Sequence, residues 1–160
     1  MISEKDKLEY QEMTQERLNI ELYNACIYGR LDIVQYLLTS PDLKEHSNIH
    51  ASNDVALIQS CRYGKLDVVR YLLRSPQLKE HLNIHASNDS AFINTCVSEK
   101  INIIHYLIFD YKIEKTNYIE KWLIKEKRID ILHKFDKREL EEILQLDLNQ
   151  KSKRDIKIKL

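Results

Sequence analysis

The sequence predicts an all-α chain of stacked antiparallel helix pairs, and three observations carry that prediction. First, the block LKEHSNIHASND (Leu43 to Asp54) returns as LKEHLNIHASND (Leu78 to Asp89), with only Ser47 and Leu82 differing. Second, Cys26, Cys61 and Cys96 stand at a constant interval of 35 residues (61 − 26 and 96 − 61), and Pro41 and Pro76 keep the same interval. A fixed period of that size marks a repeated supersecondary unit, which buries its apolar face only by stacking on its neighbours. Third, the 160 residues include two glycines and two prolines. A sheet protein needs more turn residues than that.

The elements follow in order. Ser3 with Asp6 three residues on makes a capping box, so a helix begins at Ser3. Up to about Gln15 this segment carries Leu8 and Met13 among many charges, a narrow stripe that suits a lid over one end of a larger array. The repeat starts at Ile20. Ala25-Cys26-Ile27-Tyr28-Gly29-Arg30-Leu31-Asp32 aligns with Ser60-Cys61-Arg62-Tyr63-Gly64-Lys65-Leu66-Asp67. A third copy runs from Thr95-Cys96-Val97-Ser98-Glu99-Lys100 through Ile101 to Ile108. In the second copy a first helix, about Ala56 to Tyr63, ends at Gly64, the residue a left-handed helix end favours. A second helix follows, about Lys65 to Arg74, with Leu66, Val69, Leu72 and Leu73 on one face at three- and four-residue spacing. Ser75 caps a further turn with Pro76 at its first position. Asn53, Asp54, Asn88 and Asp89 are expected to cap the first helices that follow them.

This pattern resembles ankyrin repeats over about Ile20 to Ile108. The small pairs Ala25-Cys26 and Ser60-Cys61, then Gly29 and Gly64, then the strings LDIVQYLL and LDVVRYLL stand where that family has its paired alanines, its glycine and its apolar second helix. Asn48-Ile49-His50-Ala51 and Asn83-Ile84-His85-Ala86 stand at the family's β-hairpin turn. The chain departs from the family at Val55-Ala56-Leu57-Ile58 and Ser90-Ala91-Phe92-Ile93, where the Thr-Pro-Leu-His start is lost. It departs again at Glu99, which replaces the glycine and forces that turn to strain or change form. The resemblance implies an ankyrin-type solenoid with hairpin-like loops, an N-terminal helix and a C-terminal cap.

Downstream the pattern decays. Tyr118 to Lys125 and Arg128 to Leu132 still read as a helix pair, and Asp136 is expected to cap a last helix, about Lys137 to Gln145, with Leu140, Ile143 and Leu144 inward. The resulting division is one domain at 1–150: a capping helix at 1–19, repeats at 20–54, 55–89 and 90–115, and a degenerate repeat with cap at 116–150. A basic tail follows at 151–160.

Lys+Arg and Asp+Glu both number 25, so net charge is zero. Binding to nucleic acid or anionic membrane through overall charge calls for a basic chain. The charged N-terminus does not suit a signal peptide, and no apolar run reaches membrane-spanning length. The expectation is an intracellular, cytoplasmic monomer, with the basic tail as the one feature suited to a nuclear address or an anionic surface.

Four sets of residues bear on chemistry. The three cysteines sit in the small-residue slot of successive first helices, about 8–10 Å apart at helix spacing. A disulfide needs Cα atoms within about 7 Å, so they read as core. The pairs His46/His50 and His81/His85 offer two ligands per loop where zinc takes three or four, so no metal is expected; a pH-sensitive binding face is the other reading. Phosphate loops, nucleophile elbows and metal motifs are missing, so neither an enzyme nor a cofactor is expected. Asp32 and Asp67, beside Arg30 and Lys65, read as solvated helix-start charges. What remains is surface that changes from copy to copy. The resemblance implies non-catalytic binding of another protein through a concave face, here Tyr28, Ser52, Asp54, Arg62, Tyr63, Ser87, Asp89, Val97 and Ser98. Tyr28 and Tyr63 are expected to stack as neighbours there. The alternative is a structural or regulatory scaffold that holds or shields an activity on another chain.

Overall fold

A computed structural model describes residues 2–158, with side chains described through Asn149 apart from Asp147. The chain divides into two compact units, Met1–Leu107 and Ile108–Leu160.

In the first unit Glu4–Gln11 forms α1, and the Ser3 hydroxyl accepts from the Asp6 amide at 3.1 Å, as the capping box requires. Three helix pairs follow: α2 (Gln15–Tyr28) with α3 (Leu31–Thr39), α4 (Ala51–Arg62) with α5 (Leu66–Arg74), and α6 (Ala86–Val97) with α7 (Ile101–His105). The expected boundary at residue 19 falls inside α2, because Thr14 already has the extended conformation of a capping residue. The first helices α2, α4 and α6 pack in one row and the second helices α3, α5 and α7 in another. The core repeats with the sequence: Val34, Val69 and Ile104, then Leu37, Leu72 and Leu107, then Cys26, Cys61 and Cys96 are fully buried at equivalent positions. Full burial of one such aliphatic side chain is worth about 1.5–3 kcal/mol.

Each helix pair is joined by a residue in the left-handed region. Gly29 and Gly64 sit at φ 73° and 74°, and Glu99 takes the same slot at φ 53°. The third copy thus keeps the family's turn and bears the steric strain of a side chain there, about 1–2 kcal/mol. After each second helix, Ser40-Pro41 and Ser75-Pro76 start a β-turn closed by the Leu43 and Leu78 amides on the serine carbonyls. The hairpin-like loops carry no strand among the described residues. Their amides turn instead to their own repeat, Ser47 N to Leu37 O at 3.0 Å and Leu82 N to Leu72 O at 3.3 Å.

The expected caps are corrected. Ser52, Asn53 and Asp54, like Ser87, Asn88 and Asp89, all have positive φ, so α4 and α6 each open on a left-handed turn. A side-chain cap needs an extended backbone, and these residues do not have one.

The chain passes through a π-helical turn, Tyr106–Asp110, into the second unit. There α8 (Asn117–Lys125) is capped by the Thr116 hydroxyl, which accepts from the Ile119 amide at 3.1 Å. Lys127, at φ 56°, makes the left-handed turn into α9 (Ile129–Ile158). A separate last helix beginning at Asp136 does not exist. Asp136 lies inside α9 and its carboxylate accepts from Lys115 Nζ at 3.1 Å. Arg138 Nη1 donates to the Ile113 carbonyl at 2.6 Å, and Lys112 Nζ meets Glu142 at 2.9 Å. These bonds hold α9 to the 108–115 segment. Ile131 and Phe135 are buried, whereas Leu140, Ile143 and Leu144, expected inward, are exposed. The expected basic tail at 151–160 lies outside the described side chains.

Candidate partner-binding face

The candidate face is set by the last turns of the first helices. Cys26, Cys61 and Cys96 point into the stack, so the next residues along each helix turn outward. These are Ile27 and Tyr28, Arg62 and Tyr63, Val97 and Ser98. Tyr28 is 73% exposed, Tyr63 47% and Val97 65%. Arg62 is exposed and Ser98 partly so. Tyr28 and Tyr63 do not stack on each other: the partner of the Tyr63 ring is its neighbour Arg62, whose guanidinium carbon lies 6.0 Å from the ring centroid. Tyr10 and Tyr36 of this unit form an aromatic pair, centroids 6.0 Å apart.

Of the loop residues, Ser52 and Ser87 are exposed, but Asp54 and Asp89 are buried. Their carboxylates face inward to the histidine of their own block: His50 Nδ1 donates to Asp54 at 2.7 Å and His85 Nδ1 to Asp89 at 2.5 Å. Both acids are thereby withdrawn from the face on which the loop tip was expected to place them. The preceding histidines have a different task. His46 Nε2 donates to the Ser40 carbonyl and His81 Nε2 to the Ser75 carbonyl, each at 2.8 Å. The duplicated histidines therefore close the β-turn at one end of the block and hold the left-handed turn at the other. Among the described residues no group of three or more His, Cys, Asp or Glu could hold a metal ion.

Two features escaped the sequence reading. One is the meaning of Ser47 against Leu82. Both are buried, but Ser47 Oγ donates to the Leu18 carbonyl at 2.9 Å, while Leu82 fills apolar space. The single difference between the copies lies inside the stack. The other is a hydroxyl rung between repeats. Ser60 stands beside the Cys26 thiol and Thr95 beside Cys61, each in the small-residue slot of the next copy. Burial pushes both thiols up to about 12, and the neighbouring hydroxyl only partly offsets it. At neutral pH they are inert core groups. The small polar residue before Cys61 and before Cys96, Ser60 and Thr95, was the available signal.

Helix pairs in two rows, left-handed turns between partners and a core that repeats with the 35-residue period define a stacked-repeat protein. A family model for ankyrin repeats, in three copies, matches residues 22–119, more than half of the chain, and the chain belongs to the ankyrin-repeat family. Searches of curated proteins and of solved structures returned no match. Ankyrin repeats are in general protein-interaction modules, and the family is typically non-enzymatic. No helix among the described residues is long and apolar enough to cross a membrane.

Proposed function

We propose that this array binds a protein partner, without catalysis, through the face made by Tyr28, Arg62, Tyr63, Val97 and Ser98, flanked by Ser52 and Ser87. The observation that carries the reading is that Tyr28 and Tyr63 are exposed at equivalent positions, with Arg62 and Val97 exposed beside them, next to cysteines that are fully buried. Tyr and Arg are frequent interface anchors, and an aromatic held by a neighbouring guanidinium loses little freedom on binding. Asp54 and Asp89 have no part in the contact. They hold the shape of the loops next to it.

The test is capture of the partner from native cell extract, comparing the natural chain with Arg62→Ala/Tyr63→Ala. Both side chains are exposed, so the thermal melt stays in place while binding weakens on the order of tenfold or more. Undiminished capture would overturn the assignment of this face. It is also the outcome expected of a scaffold that works through other surfaces.

A further inference from the structure

The face around Tyr28 and Tyr63 carries positive charge that the chain does not neutralise. α4 and α6 contain one acid each, Asp54 and Asp89, and both are buried against the histidine of their own loop. The helix ends and the turns after them supply cations. Arg30 is closed off by Asp32, Nε to Oδ1 at 3.4 Å. Arg62, Lys65 and Lys100 have no carboxylate partner among the described residues. The acids nearest to them in sequence are Asp67, in the first turn of α5 and so in the other row of helices, and the exposed Glu99; neither pairs with the three cations.

The cations are also held in place. The Lys65 stem lies across Gly29, next to Tyr28, and the Lys100 stem across Gly64, next to Tyr63. A lysine with its stem laid down in this way keeps its ammonium in water. The Arg62 guanidinium carbon lies 6.0 Å from the Tyr63 ring centroid. Each exposed tyrosine thus has a cation beside it. Lys65 and Lys100 stand one repeat apart, about 8–10 Å at helix spacing.

We propose that the partner meets this face with an acidic segment, its carboxylates reaching Arg62, Lys65 and Lys100 while its uncharged parts lie on Tyr28 and Tyr63. The inference rests on the face assigned under the proposed function and adds the chemistry of what binds there. Charge complementarity of this kind steers encounter and selects the partner. A nucleic-acid strand fits less well, because its phosphates recur about every 3.4 Å and one would fall against Glu99. A peptide can set an uncharged residue there.

Fluorescence anisotropy of the full chain with a labelled twelve-residue peptide of alternating glutamate and proline tests this. At about 3.1 Å per residue the peptide is long enough to cross all three turns. The control has glutamine in place of glutamate. The glutamate peptide should bind on the order of tenfold tighter at low salt, with the gap closing at high salt. Lys65→Met/Lys100→Met keeps an apolar stem over each glycine and removes the charge, so it should close most of the gap and leave the thermal melt in place. Equal binding of the two peptides overturns the inference. So does a gap that survives Lys65→Met/Lys100→Met, or a twelve-nucleotide single-stranded DNA that binds more tightly than the glutamate peptide. Capture of the natural partner separates this inference from the face beneath it. Loss with both Lys65→Met/Lys100→Met and Arg62→Ala/Tyr63→Ala is the expected result. Loss with Arg62→Ala/Tyr63→Ala alone keeps the face and overturns the acidic partner, and retention by both removes the face as well.

Discussion

Between pH 9 and pH 12 the cysteine ladder should destabilise the fold on its own. Burial holds the Cys26 and Cys61 thiols protonated to about pH 12, against an ordinary value of 9.0. A raised folded value means that the unfolded chain releases these protons first, so stability is intact below pH 9 and falls as pH rises toward 12. At pH 10 an exposed thiol is about ten to one ionised, which favours the unfolded chain by roughly 1.4 kcal/mol per thiol. Both groups are fully buried, so no discount for solvent applies, and the pair contributes about 3 kcal/mol out of a typical 5–15 kcal/mol. The measurement is urea unfolding followed by far-ultraviolet circular dichroism at pH 8, 9 and 10. Tyrosines and lysines titrate too, so the slope is read against Cys26→Ala/Cys61→Ala. The natural chain should lose about 3 kcal/mol more than the variant between pH 8 and pH 10. Parallel pH profiles would refute the idea that these thiols stay protonated in the stack.

Cys61→Arg places an unpaired charge between α4 and its neighbours, a penalty of several kcal/mol, and should abolish the cooperative melt; an unchanged melting temperature would contradict the buried ladder. Glu99→Gly relieves a side chain held at φ 53° and should stabilise the chain by about 1 kcal/mol in denaturant unfolding, whereas a loss would mean that Glu99 makes a compensating contact. The Tyr71 hydroxyl is buried with no hydrogen-bond partner, so Tyr71→Phe should leave stability unchanged or raise it by up to about 1 kcal/mol; a loss larger than that in a thermal melt would reveal a hydrogen bond there.

The period, the cysteine ladder, the glycine turns and the two rows of helices could all be read from residue identities. Each follows from local sterics or from side-chain spacing repeated 35 residues apart. The polar block was harder. Ser-Asn-Asp before an apolar run reads as a helix cap, yet the same residues also tolerate the left-handed region, and the histidine four places earlier decides between the two by taking the carboxylate. Asp136 misled for a similar reason: an acid can start a helix or sit within one, and only its pairing with Lys115 shows which. Leu140, Ile143 and Leu144 were recognised as one face. Periodicity identifies an apolar side of a helix without saying whether the chain itself covers it. The exposure of Tyr28, Arg62, Tyr63 and Val97 follows from their place one or two residues after a buried cysteine, whereas the burial of Asp54 and Asp89 depends on the histidines that hold them.

The two glycine turns constrain how such an array can grow. The space a Cβ at Gly29 would need is filled by the stem of Lys65, 2.8 Å away, and that at Gly64 by Lys100, 3.1 Å away. Every copy that ends in glycine is thus roofed by the lysine of its successor. Copying the unit from Val55 to Asp89 in tandem would keep each roof in place, since the new Lys would cover the old Gly. Glu99 breaks that rule, because it already carries a side chain where the roof would sit. A unit placed behind the third copy would have to lay its lysine stem past the Glu99 side chain, a contact that the two glycine turns do not impose.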